Sequence, residues 1–317
     1  MTNSNKFPFV TNLRATAVVM VVLYHCLCPF TPIWNCAEEQ CSFVITICAK
    51  FINSISMPLF FAIAGYLFAF GKLNGKYSDI CKFIFAKFNR LLLPFIFWGI
   101  VVWTLLSQKT IGEFLFYGAS HLWFLGTLFF MFIVFSIPCL MRLSRNADFV
   151  LAICLLFISV ACSKFPFMGT IANNLLVFCC YFFVGILFAK YEFKIYASKV
   201  LLILMVLILA VLTCFYEEKY VNTLIKLFSF STLVFIFYNG KIYLNRSIPI
   251  ARKIEKECMG IYILHHILLQ LAFLSPDFES IYTKFRGGAF LMAALLLLVC
   301  YIISVVARKT PFNKVLG

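Results

Sequence analysis

Charged residues are scarce in this sequence. They make up 12% of the 317 residues, whereas hydrophobic residues make up 63% and phenylalanine alone occurs 40 times. A soluble domain of this size has too little interior to bury so much apolar surface, which excludes a soluble globular fold. Because apolar runs long enough to cross a lipid bilayer recur from end to end, we predict an all-α membrane protein.

Several chemical signatures are absent as well. The sequence has no GxSxG motif, no phosphate-binding P-loop, no CxxC pair and no residues with the usual spacing of metal ligands. These absences argue against a serine hydrolase of that type, a P-loop enzyme and a metal or redox site. The net charge of +15 is spread over short segments between apolar runs. We therefore expect no nucleic-acid partner.

Ten apolar segments have roughly the length of a membrane span. They lie at about 12–30, 51–71, 91–107, 122–141, 149–163, 174–190, 199–216, 223–239, 258–274 and 289–307. No small-residue cleavage site follows the first segment, so we expect it to remain as a helix. No long linker or low-complexity tract divides the chain, which predicts a single transmembrane domain over residues 1–317.

The basic residues predict the orientation of the chain. With the N-terminus inside, seven of the 27 Lys and Arg residues fall in outer segments: Lys50, Lys109, Lys164, Lys219, Lys226, Lys284 and Arg286. The others lie in inner segments, in alternation, and basic residues favour the cytoplasmic side. We therefore expect both termini in the cytoplasm. Cys36 and Cys41 share one predicted outer loop and are candidates for a disulfide.

Two ionisable residues in the first apolar segment are the leading functional candidates. Arg14 and His25 are eleven residues apart, so on a helix they share a face and differ in height by about 16 Å. An ionisable residue within the membrane is costly and indicates function. His25 suits a general base and Arg14 suits an anionic group such as a phosphate. The alternative for Arg14 is a surface anchor.

Further candidates lie in three other segments. Lys87 and Arg90 neighbour each other on a helix ahead of Pro94, which we expect to kink it; they form either a phosphate clamp or a solvated face. Tyr66 offers a hydroxyl beside Gly65, which permits a close helix approach. The remaining candidates are His121 and Trp123 at the outer surface, where an interfacial role is the alternative, and Tyr262 with His265 near mid-membrane. His265 and His266 are adjacent and point about 100° apart.

These stretches together resemble the acyltransferase-3 family of bacterial membrane O-acyltransferases. The resemblance covers most of the chain. It consists of the Arg14–His25 pair, FFAIAGY at 60–66, KFNR at 87–90, HLWFLG at 121–126 and IYILHH at 261–266. Two positions depart from the family. Ala64 stands where Ser is common, and Lys87 stands where Arg is common, which keeps the charge but loses bidentate phosphate binding.

The resemblance implies a bundle of about ten transmembrane helices in the bacterial inner membrane. It implies transfer of an acyl group, usually acetyl, from cytoplasmic acyl-CoA to a hydroxyl of a cell-surface polysaccharide or its lipid-linked precursor. The acyl-CoA is then a co-substrate and not a bound cofactor. His25 is expected to be catalytic, Arg14, Lys87 and Arg90 to bind the donor, and Tyr66, His121, Trp123, Tyr262 and His265 to contact substrate.

Two other classes of function would also explain polar residues within the apolar segments. An exporter of a polysaccharide intermediate is disfavoured because no acidic residue stands within an apolar segment as an ion-coupling site. A non-catalytic subunit of an envelope complex is the second alternative. The oligomeric state, the acceptor and the acyl group are not determined by the sequence.

Overall fold

A computed structural model describes residues 7–32, 41–77, 79–106, 120–137, 142–164, 170–193, 199–216, 218, 220–244, 246, 248–285 and 287–316. Within these residues the regular structure is helical and no β-strand occurs, which confirms the predicted class. The helices are α1 (Pro8–Leu27), α2 (Phe43–Leu73), α3 (Ile80–Lys87), α4 (Leu93–Leu106), α5 (Trp123–Phe135), α6 (Arg145–Lys164), α7 (Thr170–Lys190), α8 (Lys199–Cys214), α9 (Val221–Tyr243), α10 (Pro249–Lys256), α11 (Cys258–Ala272), α12 (Pro276–Lys284) and α13 (Gly288–Ala307).

The helices include elements that suit a membrane. Among the described residues, seven are long and apolar enough to cross a bilayer, and the pair α11–α12, bent by 102°, makes eight if it forms one span. The segments Ser120–Phe135 and Lys199–Cys214 are apolar but shorter. Each of the ten predicted segments overlaps one of these elements. Many apolar helices therefore support a multi-pass membrane protein, whereas ten crossings and cytoplasmic termini stay predictions.

The chain divides into two compact units, each built from separate stretches. The first unit consists of residues 1–60 and 194–309, and the second of residues 61–193 and 310–317. Cys41, in the first unit, is disulfide-bonded. Its predicted partner, Cys36, lies outside the described residues. The pairing of these two cysteines and the single domain therefore stay predictions.

Helix α1 is fixed at both ends within the first unit. It packs against α10, α11 and α13. The Asn12 amide donates to the Arg246 carbonyl (2.9 Å) and accepts from the Ile248 N–H (3.0 Å), so it binds the backbone just before α10. Near the other end, the Tyr282 hydroxyl donates to the Cys26 carbonyl (2.8 Å). Such polar contacts hold helices together where lipid provides no hydrophobic drive.

A pair of glycines lets α2 and α7 approach closely in the second unit. A Cβ atom at Gly65 would overlap the carbonyl oxygen of Phe182, and one at Gly185 would overlap that of Ala62. Small residues at such a crossing allow backbone-to-backbone contact. The same contact fixes the turn of α2 that carries Tyr66.

A widened turn at 88–92 joins α3 to α4. Pro94 has no N–H to donate to the carbonyl of Arg90, four residues earlier. The N–H of Leu93 donates instead to the Phe88 carbonyl, five residues back. The kink expected from Pro94 thus takes the form of a π-helical turn, a feature common near functional sites. Lys87 ends α3 and Arg90 lies within the turn.

The glycine crossing generates a stability prediction. Replacing Gly185 with Ala places a methyl group against backbone that cannot move aside, so the free energy of unfolding should fall by about 1–3 kcal/mol. Thermal unfolding of the purified protein in detergent measures this. Gly126→Ala is the matched control, because the nearest atom to its Cβ would be the flexible Cδ1 of Ile171, at 3.2 Å, and not a backbone atom. Equal melting temperatures for the two variants would contradict the tight crossing.

Candidate active site

Arg14 is half-buried on α1 and forms an ion pair. Its Nη1 atom lies 2.8 Å from Oε1 of Glu255, near the end of α10. The side chains are 26% and 18% exposed, respectively. An ion pair that is largely removed from water is screened less by salt than one on an open surface. This contact ties the cation of α1 to the helix beside it.

Three imidazole rings lie together further along α1, where His25 meets two histidines of α11. The centroid of the His25 ring is 4.3 Å from that of His266 and 5.1 Å from that of His265. His265 is fully buried and His266 is 3% exposed. The Nδ1 atom of His265 lies 3.0 Å from the Ile261 carbonyl, which orients its ring. Tyr262 is buried with its ring 6.0 Å from His265.

The contacts made by Arg14 and by His25 have the same spacing along α1 and along the segment that they touch. Arg14 and His25 are eleven residues apart on α1, and so are Glu255 and His266 on the segment formed by α10 and α11. Both side chains of α1 therefore face one neighbouring segment. The geometry also shows that α1 and this segment run in the same direction.

The basic candidates of the second unit lie against aromatic rings. The Lys87 Nζ atom is 4.0 Å from the centroid of Phe132 and 5.4 Å from that of Phe83, so cation–π contacts hold it. Arg90 is exposed. Burial raises the pKa of the nearby Tyr77 hydroxyl above its usual value, and the positive charge of Arg90 opposes part of that rise. Lys87 is thus in contact with two rings, whereas Arg90 is an exposed residue of the turn.

The other candidates of the second unit are mostly buried. Tyr66 is 5% exposed and His121 is 4% exposed. Trp123 is half-buried, and its ring stacks on Phe178 at 5.5 Å and on Phe61 at 6.4 Å. Trp123 is therefore packed on other aromatic rings. Tyr66, His121 and Trp123 belong to the second unit, whereas Arg14, His25, Tyr262 and His265 belong to the first.

Two residues of the first unit were missed as individual candidates. His266 is nearer to His25 than is His265, and the adjacent histidines of the sequence did not indicate which one faces α1. Glu255 pairs with Arg14 from a position 241 residues away. Its only sequence signal was an acidic residue among Arg252, Lys253 and Lys256.

The arrangement favours proton and anion chemistry. No group of three or more His, Cys, Asp or Glu side chains in the described part of the chain is placed to hold a metal ion. Neutral imidazole both accepts and donates protons, and a buried histidine beside a second one is suited to take a proton from a hydroxyl. A guanidinium binds phosphate or carboxylate.

Fold and side chains together define a multi-pass helical membrane protein with a buried histidine site. A family model, that of the acyltransferase-3 family with the description "Acyltransferase domain", matches residues 7–306. The chain therefore belongs to this family of membrane acyltransferases, which confirms the resemblance drawn from the motifs. Neither a curated protein nor a solved structure matches the chain.

Proposed function

We propose that the protein transfers an acyl group, most simply acetyl, from cytoplasmic acyl-CoA to a hydroxyl of a cell-surface polysaccharide or its lipid-linked precursor. The observation that carries the proposal is the contact between His25 and His266, in a chain whose family transfers acyl groups. Imidazole is the most common general base for an alcohol, and His25 is half-buried against the buried ring of His266.

His25 is the proposed catalytic residue. It takes the proton of the acceptor hydroxyl, and the oxygen attacks the thioester carbonyl. The carbon–sulfur bond then breaks, and the CoA thiolate leaves with the proton that His25 returns to it. Alternatively, His25 carries the acyl group briefly before the hydroxyl receives it.

The donor is proposed to bind through Arg14, Arg90 and Lys87. Acyl-CoA carries several phosphate charges, and these three cations lie at predicted inner positions. Arg90 is exposed and presents a planar guanidinium, which binds phosphate with two hydrogen bonds. Lys87 is a point charge already in contact with Phe132, so we assign it a smaller share of the binding.

The acceptor is proposed to contact Tyr262 and His265 in the first unit and Tyr66, His121 and Trp123 in the second. These side chains combine ring faces with hydroxyl or imidazole groups. Sugars are bound in proteins by such apolar surfaces together with a few placed polar groups. His265 adjoins His25, and Tyr262 adjoins His265, so they are the strongest members of this set.

The proposed reaction requires the protein to lie in the inner membrane with its donor-binding residues on the cytoplasmic side. The distribution of Lys and Arg favours cytoplasmic termini. The disulfide at Cys41 supports the same orientation, because disulfides persist on the oxidising, outer side of a bacterial membrane.

Loss of His25 tests the reaction. His25→Ala should abolish acyl transfer, whereas the protein should still insert, because the change removes the group that takes the proton. The measurement is transfer of label from acetyl-CoA to glycan by membranes, with mass spectrometry of surface glycans from cells with and without the protein. Cys214→Ala, on α8, is the control. Wild-type product levels from His25→Ala would remove His25 from the mechanism.

Arg90 tests the donor site. Arg90→Ala should raise the donor KM about tenfold and leave kcat at saturating donor nearly unchanged, since a phosphate contact contributes to binding in ground and transition states alike. Initial rates over a range of acetyl-CoA concentrations give both constants. Lys82→Ala, which removes another exposed cation of the same region, is the control. An unchanged donor requirement in Arg90→Ala would refute the clamp.

Reporter fusions test the orientation. A reporter that is active only outside the cytoplasm should be inactive when fused after Gly317 and active when fused after Lys109, because the distribution of basic residues favours opposite sides of the membrane for these points. A cytoplasmic reporter at the same positions is the control and should give the reverse pattern. Activity of the first reporter after Gly317 would overturn the orientation.

A further inference from the structure

Glu255 leaves most of the Arg14 guanidinium available. A guanidinium has five N–H donors, and in the described part of the chain the hydrogen bond from Nη1 to Glu255 is the only one that Arg14 makes with its side chain. The other donors therefore remain for an anion. Arg14 can hold the Glu255 carboxylate and a donor phosphate at the same time.

The position of Glu255 is not explained by the helix that carries it. It lies in the last turn of α10, between Lys253 and Lys256. A carboxylate near the C-terminus of a helix faces the negative end of the helix dipole, whereas the lysines there are favoured. The contact that balances this placement is the one with Arg14.

Helix α10 is anchored independently of Glu255. Asn12 binds the backbone ahead of the helix through Arg246 and Ile248. Just after it, the Arg308 guanidinium donates to the Lys256 carbonyl (2.5 Å) and to the Glu257 carboxylate (2.7 Å). The Glu255 carboxylate is thus attached to a fixed support, and it draws the guanidinium toward that support.

Without that carboxylate, Arg14 has an alternative. A long basic side chain near the end of an apolar helix extends toward the polar interface, where its charge is hydrated. The ion pair with Glu255 opposes this movement and holds the guanidinium beside α10, on the face of α1 that also carries His25.

We propose that Glu255 is a positioning residue for the donor site, which holds the Arg14 guanidinium where the phosphates of acyl-CoA bind. The inference rests on the proposed function, since it assumes an acyl-CoA donor. Glu255 acts through Arg14 and touches neither the thioester nor the acceptor. Its loss should therefore weaken donor binding and spare the chemical step.

The test compares Glu255→Gln with Glu257→Gln in steady-state transfer from acetyl-CoA. Glu255→Gln should raise the donor KM about tenfold, the value of one charge-assisted hydrogen bond, and leave kcat and the acceptor KM within about twofold. Glu255→Asp should restore part of the donor affinity. Glu257→Gln is the matched control, because it breaks the ion pair with Arg308 two residues away. The bonds from Arg308 to the Lys256 carbonyl and from Asn12 to the backbone ahead of α10 still hold that helix, so the variant should lower the melting temperature and leave the donor KM unchanged.

A double-variant cycle separates positioning from a general structural effect. In an Arg14→Gln background, adding Glu255→Gln should not raise the donor KM further, because the group that Glu255 positions is already absent. A further increase, or a donor KM in Glu255→Gln that is unchanged or lower than in the wild type, would overturn the proposal. If Glu255→Gln does not fold, the same comparison is made with Glu255→Asp, whose shorter side chain should give a smaller increase. Absence of transfer by the wild-type protein would instead refute the proposed function.

Discussion

The first unit depends on two side-chain contacts between α1 and the segment formed by α10 and α11. Arg14 meets Glu255, and eleven residues later on both partners His25 meets His266. Because the contacts follow in the same order along both, the two run in the same direction over about three helical turns. The first and ninth predicted segments are both odd-numbered in an alternating topology, so this direction agrees with the proposed arrangement in the membrane. The position of the imidazole and that of the cation are therefore set by one helix contact.

The second unit shows how a bundle is held where lipid is as apolar as the helices. Helices α2 and α7 approach through Gly65 and Gly185 until backbone meets backbone. Asp148, in the first turn of α6, is fully buried and is paired with Lys190, and the Tyr191 hydroxyl donates to it (2.5 Å). A buried carboxylate is tolerated only with such partners. These contacts fix α7 between α6 and α2, and α2 carries Tyr66.

Much of the fold was predictable, because length and hydrophobicity alone specify where apolar helices lie. The shared face of Arg14 and His25 follows from helix periodicity, and both contact the α10–α11 segment. The partners Glu255 and His266 were not predictable in this way, since a pairing across 241 residues leaves no local pattern. Trp123 suggested a membrane-interface residue by position, but its ring packs on Phe178 and Phe61, a contact between distant segments. Helix periodicity thus predicts which residues share a face of a helix, but it does not predict which other helix packs against that face.

Residues that disagree with local preference are informative about the site. Glu257 stands at the start of α11, where the helix dipole favours a carboxylate and where Arg308 pairs with it. Glu255, two residues earlier, stands at the end of α10, where the dipole disfavours it. The preference of the helix dipole accounts for the position of Glu257 but not for that of Glu255. Natural sequences break such local preferences mainly where function requires it. The same reasoning applies to His25 in an apolar helix and to the π-helical turn that contains Arg90. In each case a cost in local stability falls on a residue to which the proposed function assigns anion binding or proton transfer.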